Sequence, residues 1–435
     1  MNETKPSIAA HSYPSSRGGL FRRSVIDRLK LVEQGEVQFI EDGECMLFGQ
    51  VSELCPIRVT VHIHDASMYR DIALGGSIAA AEAYMLGKWT TTDLTGLMRI
   101  IAANPKFNEQ IEGGMSRLLA PVQKLLHFFN SNTKKQSKKN IHAHYDMGDD
   151  LFELFLDPTM SYSSAVYPHA DASLHEASIH KLDLVCQKLH LTPDDHLLEI
   201  GTGWGGLAVH AAGKYGCRVT TTTISDNQYQ MAQQRVREAG LEDRVTLLKK
   251  DYRDLEGQYD KLVSIEMIEA VGHKFMDTYL SQCSERLAPN GRALFQAILM
   301  NDHNYEEYRN SVDFIRKYIF PGGALPSMNS IMNSILAVTD MRISGFQDIS
   351  LDYARTLRHW RDGFMSKLHE VKHLGYPDEF IRMWEFYLCY CEGGFTERAI
   401  HTVQVVFDKP ECRLEPGLID VPVRLPDQLP KQAVA

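Results

Sequence analysis

Two glutamates stand in an otherwise largely apolar stretch of the chain, KLVSIEMIEAVG, which runs from residue 261 to residue 272. Its apolar residues are mostly β-forming and predict a buried strand. A carboxylate at the end of such a strand is solvated, paired with a donor or a cation, or used in chemistry. The pattern alone leaves open which of these applies to Glu266 and which to Glu269.

A glycine-rich turn follows an earlier apolar strand, in LLEIGTGWGG, residues 197–206. Glycines let the backbone turn sharply and approach a bound ligand closely. The spacing of Gly201, Gly203 and Gly206 fits a dinucleotide site, but such a site also needs an acidic residue at the end of the second strand. That strand ends in TTIS, with no carboxylate before Asp226, so the nicotinamide interpretation is disfavoured.

Both features lie in a region where strands and helices alternate from residue 192 onwards. This alternation predicts an α/β fold with a mostly parallel, doubly wound sheet. The glycine-rich turn then lines the crevice at the carboxyl ends of the strands. Ser225 is a candidate N-cap for the helix after the second strand, and Gly240 is a candidate stop for that helix.

Changes in composition divide the chain into five segments. We expect a mobile tail over 1–24, a small α+β domain over 25–112, a helical, lysine-rich linker over 113–141, a catalytic domain over 142–408 and an extension over 409–435. Within the small domain, Asp93 is a candidate N-cap. In the linker, an apolar helix beside four lysines is a weak sign of binding to a membrane surface, and a solvated connecting segment is the alternative.

The bulk composition excludes several classes of protein. A net charge of −10 argues against nucleic-acid binding. The 8 cysteines are scattered and show no zinc-binding spacing, so we expect no metal. The N-terminus lacks an apolar signal core, and no run approaches the length of a membrane span. We therefore expect a cytoplasmic protein, and a location peripheral to the membrane stays open at this point.

The pattern E-x-G-x-G-x-G at residues 199–205 resembles the first motif of class I S-adenosylmethionine-dependent methyltransferases. Longer stretches resemble the cyclopropane-fatty-acid synthases and the related mycolic acid methyltransferases over about residues 140–408: HYDMGDDLFELFLDPTMSYSSAVY, IFPGGALPS and CEGGF. The resemblance implies a Rossmann-like sheet, a small N-terminal domain of lipid-binding type and a homodimer.

The resemblance also implies a reaction. A methyl group passes from S-adenosylmethionine to a cis double bond of an unsaturated phospholipid acyl chain at the inner membrane surface. A bound bicarbonate, the candidate second ligand, then removes a proton and a cyclopropane ring closes. The open alternatives are C-methylation to methyl-branched or methylene chains, N-methylation of a small amine, and a catalytically silent lipid-binding protein.

Site residues follow from the same resemblance. The implied cofactor contacts are Tyr162 and Ser163 at the methionine end, Glu199, Gly201, Gly203 and Gly205 in the loop, Thr223, Ile224, Ser225 and Gln228 at the ribose, and Tyr252 at the adenine. The implied catalytic residues are the bicarbonate ligands Ser164, Glu269, Gln296, Ile298 and Tyr353, together with the thiol of Cys391. Glu266 is left as a structural or solvated residue.

Three positions depart from the family pattern in or beside the bicarbonate site. The pattern YSC reads YSS at Ser164, a family histidine is Gln296, and EHVG reads EAVG with Ala270. Serine and glutamine still donate hydrogen bonds, but an imidazole that moves protons near neutral pH is lost. We therefore hypothesise that cofactor and lipid binding persist while the final removal of a proton is altered.

Overall fold

The computed structural model describes residues 19–111 and 148–416. These residues form two compact units. The first contains residues 19–111 and 377–393, and the second contains residues 148–376 and 394–416. Within the described ranges, no helix is long and apolar enough to cross a membrane.

The first unit combines a small sheet with helices. Its N-terminal elements are α1 (Leu20–Leu29), β1 (Gly35–Glu41), β2 (Glu44–Gln50), β3 (Arg58–Ile63), α2 (Ser67–Met85), β4 (Trp89–Thr91), α3 (Leu94–Ala102) and α4 (Pro105–Ile111). The strand order is β2-β1-β3-β4, with β1 antiparallel to β2 and parallel to β3. Asp42 and Gly43 both have positive φ, which is the geometry of a tight hairpin between β1 and β2.

The second unit is the doubly wound α/β part of the chain. Its helices are α5 (Asp149–Glu153), α6 (Leu174–Lys188), α7 (Gly206–His210), α8 (Asp226–Glu238), α9 (Met276–Arg286), α10 (Tyr305–Arg309), α11 (Met328–Val338), α12 (Ser350–Ser366) and α13 (Leu368–His373). Its strands are β5 (His196–Ile200), β6 (Arg218–Thr222), β7 (Val245–Leu248), β8 (Tyr259–Ile265), β9 (Leu287–Met300), β10 (Arg342–Asp348) and β11 (Ile400–Asp408). Before β11 runs α14 (Asp378–Thr396), whose residues up to Gly393 belong to the first unit.

The seven-stranded sheet has the order β10-β11-β9-β8-β5-β6-β7. Strands β5 to β9 pair in parallel, and β11 and β10 close one edge in antiparallel pairs. Neighbouring residues such as Leu197 and Leu198, or Leu262 and Val263, belong to different apolar clusters. Since successive strand residues point to opposite faces, the sheet is covered on both sides. The order in which strands are added to the sheet reverses between β5 and β8, and such sheets bind ligands at this switch point.

Several local expectations are confirmed. The side chain of Asp93 accepts from the Gly96 N–H, and that of Ser225 accepts from the Gln228 N–H, so both residues cap helices. Gly240 has φ +65 directly after the last residues of α8. In contrast, α1 begins at Leu20, inside the segment assigned to the tail. The predicted apolar helix and lysine cluster of residues 113–141 lie outside the described residues.

Candidate active site

The glycine-rich turn connects β5 to α7. Gly201, Gly203 and Gly205 have φ values of +102, +52 and +87, a region that favours glycine. A Cβ added to Gly205 would come within 3.0 Å of the Ala232 side chain. One added to Gly203 would meet no atom of the described residues within 4 Å, apart from its two chain neighbours. The loop therefore packs closely on one side and leaves open space at Gly203 on the other.

The turn after β6 carries the predicted ribose contacts. The Thr223 hydroxyl donates to Gln228 Oε1 over 2.9 Å and accepts from the Ser225 N–H over 3.1 Å. Ile224 lies between them and is half-buried. These hydrogen bonds fix the end of β6 against the first turn of α8. The structure therefore brings the four predicted ribose contacts together.

The predicted adenine residue, Tyr252, begins a short 3₁₀ turn after β7. Its ring meets that of Tyr279 edge to face, with centroids 5.2 Å apart. The Asp251 carboxylate accepts from the backbone N–H and the guanidinium of Arg253, which orders this turn.

Glu199 and Lys181 form a buried charged region beneath the glycine loop. Lys181 Nζ donates to the Ser163 hydroxyl over 3.0 Å, and the charges of Glu199 and Glu266 act on this ammonium. Burial lowers the pKa of Lys181 and raises that of Glu199 to about 8. Glu199 Oε2 is buried and has no hydrogen-bond partner among the residues that the structure describes.

Glu269 lies in a 3₁₀ turn after β8 and is held from two sides. Its Oε1 accepts a short hydrogen bond from the Ile298 N–H on β9, and its backbone carbonyl accepts from the Ala324 N–H over 2.8 Å. Its Oε2 is buried without a partner in the described part of the chain. Burial, and then the charge of Glu266, raise the pKa of Glu269 to about 8.

Glu266 is also a site residue, which the sequence analysis did not predict. Its Oε1 accepts from the Ser164 N–H over 2.9 Å and from Gln296 Nε2 over 2.8 Å. Its Oε2 accepts from the Tyr353 hydroxyl over 2.8 Å. The description of Glu266 as solvated is therefore wrong. Its carboxylate lies among three of the five residues assigned to a bicarbonate ion.

A buried chain of polar side chains fixes the orientation of Gln296. Lys188 Nζ donates to Gln404 Oε1 over 2.6 Å, and Gln404 Nε2 donates to Gln296 Oε1 over 2.9 Å. Because the Lys188 ammonium can only donate, Gln404 must accept with its oxygen and donate with its NH₂ group, and Gln296 must do the same. Gln296 must therefore present its NH₂ group to Glu266.

An aromatic cluster joins the glycine loop to this region. Phe152 packs against Trp204 of the loop and against Tyr162, with ring centroids 5.1 and 5.0 Å apart. Tyr162 stacks on Trp360, which meets Tyr353 edge to face. Aromatic faces attract cations, so the cluster suits chemistry that develops positive charge.

Two further positions named in the sequence analysis are Cys391 and Ala270. Cys391 is half-buried on α14 within the first unit. Ala270 is exposed in the same 3₁₀ turn as Glu269. No group of side chains in the described ranges has the composition of a metal site.

Comparison with known proteins identifies the chain. Residues 132–405 match the family model of mycolic acid cyclopropane synthetase. The chain belongs to this family. The tuberculostearic acid methyltransferase UfaA1 of Mycobacterium tuberculosis is 37% identical over 342 residues, 77% of this chain and 79% of that protein. The cyclopropane-fatty-acyl-phospholipid synthase of Escherichia coli K12 is 35% identical over 80% of this chain and 87% of that protein.

A solved structure agrees with these relatives. The mycolic acid cyclopropane synthase CmaA1, complexed with SAH and CTAB, aligns with a TM-score of 0.59 and 31% identity. The alignment covers 62% of this chain and 98% of that one. The predicted family, the class I methyltransferase fold and S-adenosylmethionine as cofactor are thereby confirmed. The lipid-binding character of the N-terminal domain stays a prediction.

The residues present fit S-adenosylmethionine but not bicarbonate. The open space at Gly203 and the unpaired Oε2 of Glu199 suit the cofactor, which supplies an electrophilic methyl group when bound. The donors assigned to bicarbonate are already engaged. Ser164, Gln296 and Tyr353 donate to Glu266, and Ile298 donates to Glu269.

The raised pKa of Glu199 makes stability depend on pH. Because its folded pKa of about 8 exceeds the ordinary 4.5, the folded protein keeps a proton that the unfolded chain releases between these values. The free energy of unfolding of the cofactor-free protein therefore contains a contribution that falls as pH rises through this window. Glu199→Gln removes this contribution, so between pH 4.5 and pH 8 the stability of the variant should rise relative to that of wild type by about 4 kcal/mol.

Urea unfolding at both ends of the window measures this difference. Glu256→Gln is the control because Glu256 is exposed, and its difference from wild type should not change with pH. If the free energy of unfolding of Glu199→Gln changed with pH in parallel with that of wild type, the result would contradict a buried, protonated Glu199 in the folded protein.

Proposed function

We propose that this enzyme transfers a one-carbon unit from S-adenosylmethionine to a cis double bond of an unsaturated phospholipid acyl chain and closes a cyclopropane ring. The family match and the relative from Escherichia coli support this cyclopropanation. The observation that carries it is the pair of carboxylates, Glu266 and Glu269, at the end of β8 beside an aromatic cluster.

The physical argument starts from the substrate. An alkene is a weak nucleophile, so it must be aligned with the methyl donor and kept away from water. Attack on the methyl group leaves a cationic carbon in the acyl chain. Negative carboxylates and aromatic faces lower the energy of that cation, and this site contains both. N-methylation of an amine creates no such carbon cation and would leave the two glutamates without a role.

A second product is favoured by a specific observation. The relative with 37% identity is a tuberculostearic acid methyltransferase, and Ser164, Gln296 and Ala270 depart from the pattern expected for cyclopropane synthases. Loss of a proton from a neighbouring chain carbon of the same cation would give a methyl-branched unsaturated chain. A 1,2-hydride shift that moves the positive charge to the methylated carbon, followed by loss of a methyl proton, would give a methylene chain. C-methylation is therefore the alternative.

Product identification separates these outcomes. The enzyme is incubated with unsaturated phospholipid vesicles and methyl-labelled cofactor, and the acyl chains are analysed by mass spectrometry before and after mild hydrogenation. We expect a labelled one-carbon addition that resists hydrogenation, as a cyclopropane does. A product that takes up hydrogen would instead indicate a methylene or methyl-branched unsaturated chain, and label found only in an added amine would contradict acyl-chain chemistry.

We further infer that the enzyme works as a homodimer on the inner membrane surface, with the N-terminal domain contributing to docking on phospholipid. The resemblance of that domain to lipid-binding units supports this assignment. Sedimentation with and without anionic vesicles measures both properties.

A further inference from the structure

The backbone at Glu266 adopts a conformation that is unfavourable for its residue type. Its φ of +48 lies in the left-handed region, which costs a residue with a Cβ roughly 1–2 kcal/mol. A glycine would adopt this turn without that cost. Strain of this kind persists at sites where the side chain has a function.

The hydrogen-bond donors around Glu266 favour an ionised carboxylate. The Ser164 N–H can only donate, and Gln296 presents its NH₂ group because of the chain that starts at Lys188. Oε1 therefore accepts two hydrogen bonds, and Oε2 accepts one from Tyr353. The buried ammonium of Lys181 adds a favourable charge interaction. These donors stabilise the anion, whereas burial raises the pKa of Glu266.

We propose that Glu266 is the base of the final step and that it replaces a separately bound bicarbonate ion. This proposal rests on the proposed function. Methyl transfer forms a C–C bond to the acyl chain, breaks the S–C bond of the donor and leaves a cationic carbon. Glu266 then takes one proton from the new methyl group. The electron pair of that C–H bond forms the last ring bond, and the carboxyl group later releases its proton to water.

Glu269 is less suited to this role. Its Oε1 has a single bond from the Ile298 N–H, its Oε2 has no partner within the described residues, and Glu266 lies close enough for its charge to act on it. Of the two carboxylates, Glu266 therefore has the better stabilised anion. The departure at Gln296 then has an explanation, because its side-chain amide binds the built-in carboxylate. Ser164 contributes its backbone N–H, which a cysteine at this position would supply equally.

The test removes the carboxylate and offers an external one. Glu266→Gly suits the positive φ and vacates the space between the three donors, whereas Glu266→Gln keeps that space filled and has no base. Product formation is measured in buffer freed of carbon dioxide and again with millimolar bicarbonate. Melting temperatures of the cofactor-free proteins, with and without bicarbonate, report anion binding independently of activity.

We expect wild type to be equally active in both buffers. Both variants should lose about 100-fold in product formation without bicarbonate. Bicarbonate should restore at least about a tenth of the activity of Glu266→Gly and raise its melting temperature. Glu266→Gln should respond in neither assay.

Three results would overturn the proposal. They are a wild type that needs bicarbonate, a Glu266→Gly variant that is fully active without it, and a Glu266→Gly variant that shows neither rescue nor a melting shift. A wild type that forms no one-carbon product from any unsaturated phospholipid would instead contradict the proposed function, and the base role with it.

Discussion

Glu269→Gln should form product about 1000-fold more slowly than wild type while it binds S-adenosylmethionine with nearly the same affinity. Glutamine keeps the size of the side chain but cannot carry the negative charge that a cationic transition state requires. The backbone bond between the Glu269 carbonyl and Ala324 does not depend on the side chain, so the turn should keep its shape. Single-turnover kinetics with labelled cofactor measure the rate, and calorimetry measures the affinity.

The pH profile distinguishes this electrostatic role from a structural one. Burial raises the pKa of Glu269 to about 8, so the charged form becomes populated as pH rises towards that value. In wild type, kcat/KM should therefore increase as pH rises through about 8 and level off above that value, and Glu269→Gln should lose this dependence. Exposed Glu256→Gln should keep the wild-type profile. Near-normal turnover by Glu269→Gln would refute the assignment.

Local rules of sequence predicted much of the fold. The alternation of strands and helices after residue 192 indicated the doubly wound sheet, and Ser225 and Asp93 were recognisable as N-caps. The placement of residues 377–393 with the first unit was not predicted. Helix periodicity shows that a face is apolar, but it does not show which domain buries that face.

Some parts of the site were predicted from the sequence and others were not, for a similar reason. The glycine loop and the turn at Ser225 are set by neighbours in sequence, so their residues could be read from motifs. Glu266 was missed because its partners, Ser164, Gln296 and Tyr353, come from three distant segments. A signal was nevertheless present. The departure from the family pattern at Gln296 points to a changed occupant of the site, and Glu266 was an acid without an assigned role in the same stretch as Glu269.

The supporting chain from Lys188 through Gln404 to Gln296 was also not predicted. Lys188 lies at the end of α6, whereas Gln404 and Gln296 face each other on paired strands β11 and β9. Their sequence context resembles that of ordinary buried strand and helix residues. Only the register of β11 on β9 shows that the two amides meet.

Gly203→Val should weaken S-adenosylmethionine binding more than about 100-fold, because the added side chain would enter the open space assigned to the cofactor. Apart from the two chain neighbours, no atom of residues 19–111 and 148–416 lies within 4 Å of a Cβ at this position, so the variant should not clash with this part of the fold. The positive φ of +52 still imposes strain on valine, and stability should fall by about 2 kcal/mol. Calorimetric titration with the cofactor and urea unfolding measure the two effects.

Gly240→Val is a matched control for this strain. Gly240 also has a positive φ, +65, and also has no atom within 4 Å of an added Cβ, but it lies at the end of α8, outside the predicted cofactor contacts. Both variants should therefore lose similar stability, and only Gly203→Val should lose cofactor affinity. Unchanged cofactor affinity in both variants would mean that the space above Gly203 does not hold the cofactor. An equal loss of cofactor affinity in both variants would attribute the effect to backbone strain alone.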